Sequence, residues 1–197
     1  ATREAYGNAL ASIGKENTNI IVLDADLSKS TKTDTFKAVC PERFFNVGIA
    51  EQNLISVGAG LAAAGKIPFV SSFSMFATGR AFEQIRNAIC YPKLNVKVCA
   101  THAGITVGED GATHQSLEDI SCMRTLPNMT VVVPADERET EAVIEWAASY
   151  NGPVYVRLGR AGVDDVTTEG YSFVPGKSTI LVDGSDVTII ACGALVG

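Results

Sequence analysis

Apolar residues along the chain follow two periods. Short β-branched runs, such as Ile20-Ile21-Val22-Leu23 and Val154-Tyr155-Val156, alternate with longer stretches whose apolar positions recur every three or four residues. That alternation predicts an α/β domain built on a mostly parallel sheet with helices on both faces. Strands are expected over 19–24, 43–47, 67–71, 95–100, 129–133 and 154–158, six in all. A first helix is expected over 3–13, with Thr2 as N-cap and Ala5, Tyr6, Ala9, Leu10 and Ile13 on one face. A shorter helix should end near Val39, where Pro41 stops it. Further helices are expected over 51–64, over 76–89, from the loop after His114 through Leu126, and over 137–150, opened by Pro134. Gly58 and Gly60 would each weaken an exposed helix by roughly 1 kcal/mol relative to Ala, so both are expected to pack against another backbone.

After residue 160 the pattern changes. The stretch 161–177 reads as a linker, and 178–182 and 186–192 read as the first strands of a new unit. The chain stops at Gly197, where a helix should begin, so 178–197 is expected to be the truncated start of a second α/β domain. Residues 1–160 form the first.

Charge narrows the function. Acids outnumber bases 22 to 16, for a net charge of −6. A nucleic-acid binder needs a basic stripe, and the lysines near Lys29 and Lys32 do not make one. The apolar stretch 54–64 falls short of the ~20 residues that a membrane span needs. No signal peptide precedes the first helix, and a cytoplasmic protein is expected. Cys40, Cys90, Cys99, Cys122 and Cys192 are scattered among apolar neighbours without a C-x-x-C motif. They read as reduced, buried thiols rather than metal ligands.

In a parallel α/β sheet, ligands bind beyond the carboxyl ends of the strands. The unusual residues collect there: Asp24 and Asp26, Glu51, the run 71–76, the loop 101–114 with both histidines of the chain, and 157–160. Each has an ordinary reading. Glu51 would suit the first turn of any helix, where the dipole favours negative charge. Phe73 and Phe76 could be core residues on one helical face. His102, Asp110 and His114 could be loop polarity, and Asp26 could form an Asx turn.

Taken in order, these residues resemble a family. Gly48-Ile49-Ala50-Glu51-Gln52 resembles the glutamate motif of transketolase-type thiamine-diphosphate enzymes. Ala100-Thr101-His102 and Gly108-Glu109-Asp110-Gly111-Ala112-Thr113-His114-Gln115 resemble the substrate loop of that family. Ala1-Thr2-Arg3 and Asp26-Leu27-Ser28-Lys29-Ser30 match two more segments, so the resemblance runs over residues 1 to about 160. It implies the pyrimidine-binding half of a transketolase, similar to the C-terminal subunit of a split transketolase, with the thiamine-diphosphate-binding fold. The glutamate motif is shared with deoxyxylulose-phosphate synthases and 2-oxo-acid dehydrogenase β subunits, whereas the 108–115 loop points to transketolase. A non-catalytic interaction domain with this fold is the remaining alternative, against which the presence of Glu51 speaks.

The resemblance also assigns roles. Glu51 would hydrogen-bond N1′ of the cofactor's aminopyrimidine and favour the 4′-imino tautomer, which deprotonates C2 of the thiazolium. Phe73 and Phe76 would stack on the pyrimidine, although Gly79 stands where many relatives carry a third aromatic. Asp26 would lie near the thiazolium. His114 would meet the donor sugar near its carbonyl, and Asp110 would bind a sugar hydroxyl. Arg3, Ser30, His102 and Arg160 would converge on the substrate phosphate. The Gly-Asp-Gly segment with a downstream Asn that holds the diphosphate and its metal is absent, so Mg²⁺ or Ca²⁺ is expected on a partner. That partner would be a diphosphate-binding domain or an N-terminal transketolase subunit, in a homodimer or a heterotetramer. The chain begins at the domain's first helix, which favours a natural split subunit over a fragment.

Overall fold

A computed structural model describes residues 1–197. Six parallel strands form one sheet in the order β2-β1-β3-β4-β6-β5. They are β1 (Ile20–Asp24), β2 (Phe44–Asn46), β3 (Ile67–Phe73), β4 (Lys97–Thr101), β5 (Thr130–Val132) and β6 (Val154–Arg157). Strand alternation divides the core in two. Ile21, Leu23, Val70, Val98, Ala100 and Tyr155 face one side, where they meet α4 (Glu51–Ala63), a helical segment over 76–90, and α6 (Asp119–Arg124). Ile20, Val22, Phe69, Cys99, Val154 and Val156 face the other, where they meet α1 (Thr2–Glu16), α3 (Asp34–Val39) and α7 (Glu137–Ser149). The expected α/β sheet with helices on both faces is therefore present, and every strand ends at one edge.

Local expectations needed several corrections. Thr2 lies inside α1, whose N-cap is Ala1. Its hydroxyl instead accepts a hydrogen bond from the Gly159 N–H at 2.8 Å, tying the first helix to the end of β6. A Cβ on Gly58 would stand 2.7 Å from the Val70 side chain, so that glycine packs closely against a side chain rather than a backbone, and Gly60 has nothing within 4 Å. The 76–90 segment contains wide i→i+5 turns at Phe76–Arg80 and Ile85–Cys90 around a short α5 (Phe82–Gln84). Pro134 does not open α7. Asp136 caps it, accepting from the Glu139 N–H at 2.8 Å. Cys40, Cys90 and Cys99 are buried, but Cys122 is partly exposed and Cys192 exposed. No helix is long and apolar enough to cross a membrane.

Beyond residue 160 the chain first clings to the domain. The second oxygen of Asp136 accepts from the N–H groups of Val166 and Thr167 and from the Thr167 hydroxyl. Phe173 packs on Trp146 with ring centroids 5.3 Å apart. The strands expected at 178–182 and 186–192 do not form. Ile180, Val182, Val187, Ile189 and Ile190 stand exposed. A two-stranded unit is marginal in water without a third strand or a helix to cover its apolar face.

Lys97 is fully buried at the amino edge of the sheet. Its ammonium donates to Asn95 Oδ1 at 2.5 Å and to the carbonyls of Tyr150 and Gly152, each at 2.7 Å. Burial pulls its pKa down to about 7, opposed more weakly by Cys99. The unfolded chain then binds more protons than the folded one between pH 7 and the ordinary lysine range, so this group's contribution to stability grows as pH rises. Wild-type protein should gain stability relative to Lys97→Met between pH 7 and pH 8.5 in urea titrations. Parallel curves for the two proteins would show that the amine stays charged throughout.

Candidate functional site

The loop leaving β1 is held by Asp24, which is fully buried. Its Oδ1 accepts from the Leu27 N–H at 2.6 Å, and its Oδ2 accepts from the Thr31 and Thr33 hydroxyls at 2.6 and 2.9 Å. Burial pushes this carboxyl up, and the hydrogen bonds from Thr31, Leu27 and Thr33 pull against it. The anchored loop presents Asp26 and Ser30. Asp26 adopts a left-handed φ of 67°, which Asp tolerates better than most residues. Its Oδ1 accepts from Asn46 Nδ2 at 2.7 Å, while Asn46 Oδ1 accepts from the Gly48 N–H at 2.9 Å. Gly48 sits at φ 74°, and this turn delivers Glu51 to the first position of α4. Asn46 therefore joins the Asp26 loop to the Glu51 turn.

Glu51 is 1% exposed. Its Oε2 accepts from Arg80 Nη1 at 2.7 Å, and the same guanidinium lies over the Phe76 ring, 4.8 Å from its centroid. Phe73 closes β3 and Phe76 begins the wide turn, so the two do not share a helical face. Their rings lie 5.9 Å apart and nearly parallel. Both histidines join them. His102 stacks on Phe73 at 3.8 Å, and His114 meets Phe76 edge-on at 5.2 Å. The 76–90 turn is supported from below: the Ser74 and Tyr155 hydroxyls meet at 2.9 Å, and Tyr155 donates to buried Asp119 at 2.8 Å. Arg157 Nε donates to the same Asp119 oxygen at 2.8 Å.

His102, at φ 59°, is buried. Arg3 Nη1 lies 3.3 Å from its Nε2 and donates to the Ser30 carbonyl at 3.0 Å. A guanidinium can only donate, so Nε2 accepts and the ring proton sits on Nδ1, donated to the Thr101 hydroxyl 2.9 Å away. Burial first, then the charge of Arg3, pull the imidazole pKa down to about 4, with Asp110 opposing and Arg160 and His114 adding smaller effects. His102 is thus a neutral ring beside cationic Arg3.

Arg160 binds the 101–114 loop. It donates to the Val107 carbonyl and to Glu109 at 2.9 Å, and pairs with Asp110 at 3.6 Å. Arg3, Ser30 and His102 are thus in direct contact, while Arg160 is engaged with the loop acids and joins them only through its charge. Glu51, Phe73, Phe76, His102 and His114 form one connected cluster through Arg80 and the aromatic rings. Asp26 is tied, through Asn46, to the Gly48 turn that precedes Glu51 and touches no member of the cluster directly. Sequence reasoning placed Asp24 and Arg157 at strand ends without their roles, and missed Arg80, Asn46, Asp119 and Tyr155. An Arg on the turn after a strand end carries no local signature, because its partner Glu51 is 29 residues away.

The family described as transketolase, pyrimidine binding domain, matches residues 1–164. A protein of Methanocaldococcus jannaschii, provisionally named a transketolase C-terminal section, is 58% identical over 193 residues, 97% of this chain and 61% of its own length. A 1-deoxy-D-xylulose-5-phosphate synthase of Lawsonia intracellularis is 39% identical over 194 residues, 98% of this chain and 30% of its own. Among solved structures, a split-gene transketolase described as an inactive β4 tetramer aligns at TM-score 0.90 and 60% identity, covering 99% of this chain and 63% of that one. The chain thus spans about 60% of the length of the M. jannaschii relative and of the split-gene protein.

Because Arg3 holds a donor against Nε2, the His102 ring should stay neutral well below the ordinary histidine range. Proton NMR should find it titrating near pH 4 in the wild type and higher in Arg3→Met, though still below 6.5 because burial is the larger cause. An unchanged titration in the variant would show that Arg3 does not set the state of the ring.

Proposed function

The chain belongs to the transketolase pyrimidine-binding domain family, and from that premise we propose that it is the pyrimidine-binding half of a transketolase. The reaction would move a two-carbon ketol unit from a ketose phosphate to an aldose phosphate. The observation that carries this reading is Glu51: a carboxyl 1% exposed, at the start of the helix after a strand-end turn, joined to the Phe76 ring through the Arg80 guanidinium that meets both. A buried acid beside an aromatic face is what the edge and plane of an aminopyrimidine require. The residues fit thiamine diphosphate in that respect. When bound, the cofactor supplies the carbanion chemistry of ketol transfer.

The chain's own residues do the rest. Glu51 holds a proton at N1′ of the pyrimidine. Phe76 offers its ring as a platform, and Phe73, pressed between Phe76 and His102, fixes that platform from behind. Asp26 faces the thiazolium side. His114 and Asp110 hydrogen-bond the sugar's oxygens. Arg3, Ser30 and His102 receive the substrate phosphate, and Arg160 joins them when it exchanges a loop acid for the phosphate.

Completion needs a partner. A diphosphate-binding domain or an N-terminal subunit would hold the diphosphate with Mg²⁺ or Ca²⁺ and close the site from the other side. The inactivity stated for the similar β4 tetramer supports this dependence. Within the chain, 1–160 is the pyrimidine-binding domain, 161–177 the linker and 178–197 the start of a second domain whose packing would cover the exposed Ile180, Val182, Val187, Ile189 and Ile190. Similarity to a deoxyxylulose-phosphate synthase leaves that reaction as the second reading. It is distinguished by supplying pyruvate with glyceraldehyde 3-phosphate in place of a ketose donor.

With the assembled enzyme, Glu51→Gln should slow C2 proton exchange of bound cofactor and turnover by several orders of magnitude, beyond the ~10²–10⁴-fold of a single acid–base group. Near-normal exchange would remove Glu51 from this role. Arg160→Ala should raise KM for phosphorylated aldoses about tenfold or more, the scale of one charge-assisted hydrogen bond, while sparing glycolaldehyde. Equal loss with both acceptors would assign Arg160 to loop support alone.

A further inference from the structure

Arg80 touches both groups that the proposed pyrimidine site depends on. Its Nη1 donates to Glu51 Oε2 at 2.7 Å, and its guanidinium covers the Phe76 ring at 4.8 Å. A planar cation with edge N–H donors, seated on an aromatic face and bonded to a carboxylate, makes the same pair of contacts as an aminopyrimidine protonated at N1′. The wide turn sets this up. Phe76 and Arg80 are the two ends of one i→i+5 turn, and the Arg80 carbonyl accepts from Gln52 Nε2 at 3.3 Å, which ties the turn to the start of α4.

Two cations do not share one buried carboxylate well. Held by Arg80, Glu51 has one oxygen already committed, so the guanidinium must leave before an aminopyrimidine can take its place. Freed from Arg80, a carboxyl this deeply buried needs another partner, because an unpaired polar group in such a place is costly. Arg80 is also able to leave: its side chain is 50% exposed while that of Glu51 is 1% exposed. Charged groups on the elements packed against α4 do not replace it. Asp24 at the end of β1 is bonded to Leu27, Thr31 and Thr33. Glu83 and Arg86 on the 76–90 segment bond to Gln84 and Asn87. His114 reaches Phe76 edge-on, and Arg80 is the group bonded to Glu51.

We propose that Arg80 is an exchangeable counter-ion of Glu51, displaced from the carboxylate and from the Phe76 ring when the cofactor's aminopyrimidine binds. The proposal rests on the pyrimidine-site reading of Glu51. Arg80 is a positioning residue in this scheme: it preserves the buried acid as a paired anion and gives it up on binding.

The test is calorimetric titration of thiamine diphosphate with Mg²⁺ into the assembled enzyme. Arg80→Met, which keeps an apolar stem against Phe76 but leaves no counter-ion to displace, should bind as tightly as wild type or up to about tenfold more tightly. Arg80→Lys, which keeps the charge, should bind no more tightly than wild type. A tenfold loss of affinity in Arg80→Met would overturn the exchange. Should Arg80→Met fail to fold, the wild type decides alone. The ¹⁵Nε resonance of Arg80 should shift to the solvent-exposed guanidinium position on saturation with cofactor, and an unmoved resonance would overturn the proposal. If wild-type enzyme binds no cofactor at all, the pyrimidine-site reading fails and takes this inference with it.

Discussion

A carboxylate removed from water must be given donors or a counter-ion, and four such groups organise this domain. Asp24, Glu51, Asp119 and Asp136 are all essentially inaccessible to solvent. Each lies on the side of the sheet where the strands end: at the close of β1, at the start of α4 after β2, at the start of α6 after β4, and at the cap of α7 after β5. The donors to Asp24 and Asp136 come from chain segments that would otherwise be loose, and those to Asp119 from β6. Asp24 gathers Leu27, Thr31 and Thr33, while Asp119 takes Tyr155 and Arg157. Asp136 binds the start of α7 to Val166 and Thr167. Burial raises the Asp136 carboxyl, but the Thr167, Glu139 and Val166 hydrogen bonds outweigh it and leave the group below its ordinary range. A buried, satisfied acid of this kind is costly to break from either side, so loops that supply its donors are held as firmly as the strands.

Glu51 differs from the other three. Its bonded partner is a single charge on a half-exposed side chain, whereas Asp24 and Asp136 take local N–H and O–H donors and Asp119 takes the Tyr155 hydroxyl and the more buried Arg157. The Glu51 partner can be exchanged by a rotation of one side chain. That asymmetry separates the carboxyls that hold the site from the one that is available for chemistry.

The aromatic cluster gives the site a second kind of order. His102 stacks on Phe73, Phe73 lies against Phe76, and His114 closes on Phe76 from the edge. This packing connects the cofactor end of the proposed site, at Glu51 and Phe76, to the phosphate end, at Arg3 and His102. His102 can stay buried there because it is neutral, and it is neutral because burial and Arg3 both oppose its protonation. A protonated ring would be a second cation beside Arg3 with no acid bonded to it.

Much of the fold was legible in the residues themselves. The two hydrophobic periods located six strands and the major helices, since strand alternation and helical spacing are set by local backbone geometry. The motif around Glu51 and the loop from Thr101 to His114 were legible for a related reason: a run of adjacent residues carries its own signature. Partners distant in sequence were not. Nothing near Arg80 points to Glu51, nothing near Thr2 points to Gly159, and the strand patterns at 178–182 and 186–192 are locally sound yet unpaired. The sequence by itself determined which segments alternate, where the strands end and which chemical groups gather there. The tertiary structure alone decided which cation meets which buried acid, which face of Phe76 is covered, and whether an apolar strand finds an edge. Those outcomes depend on long-range packing and desolvation, which no window of neighbouring residues encodes.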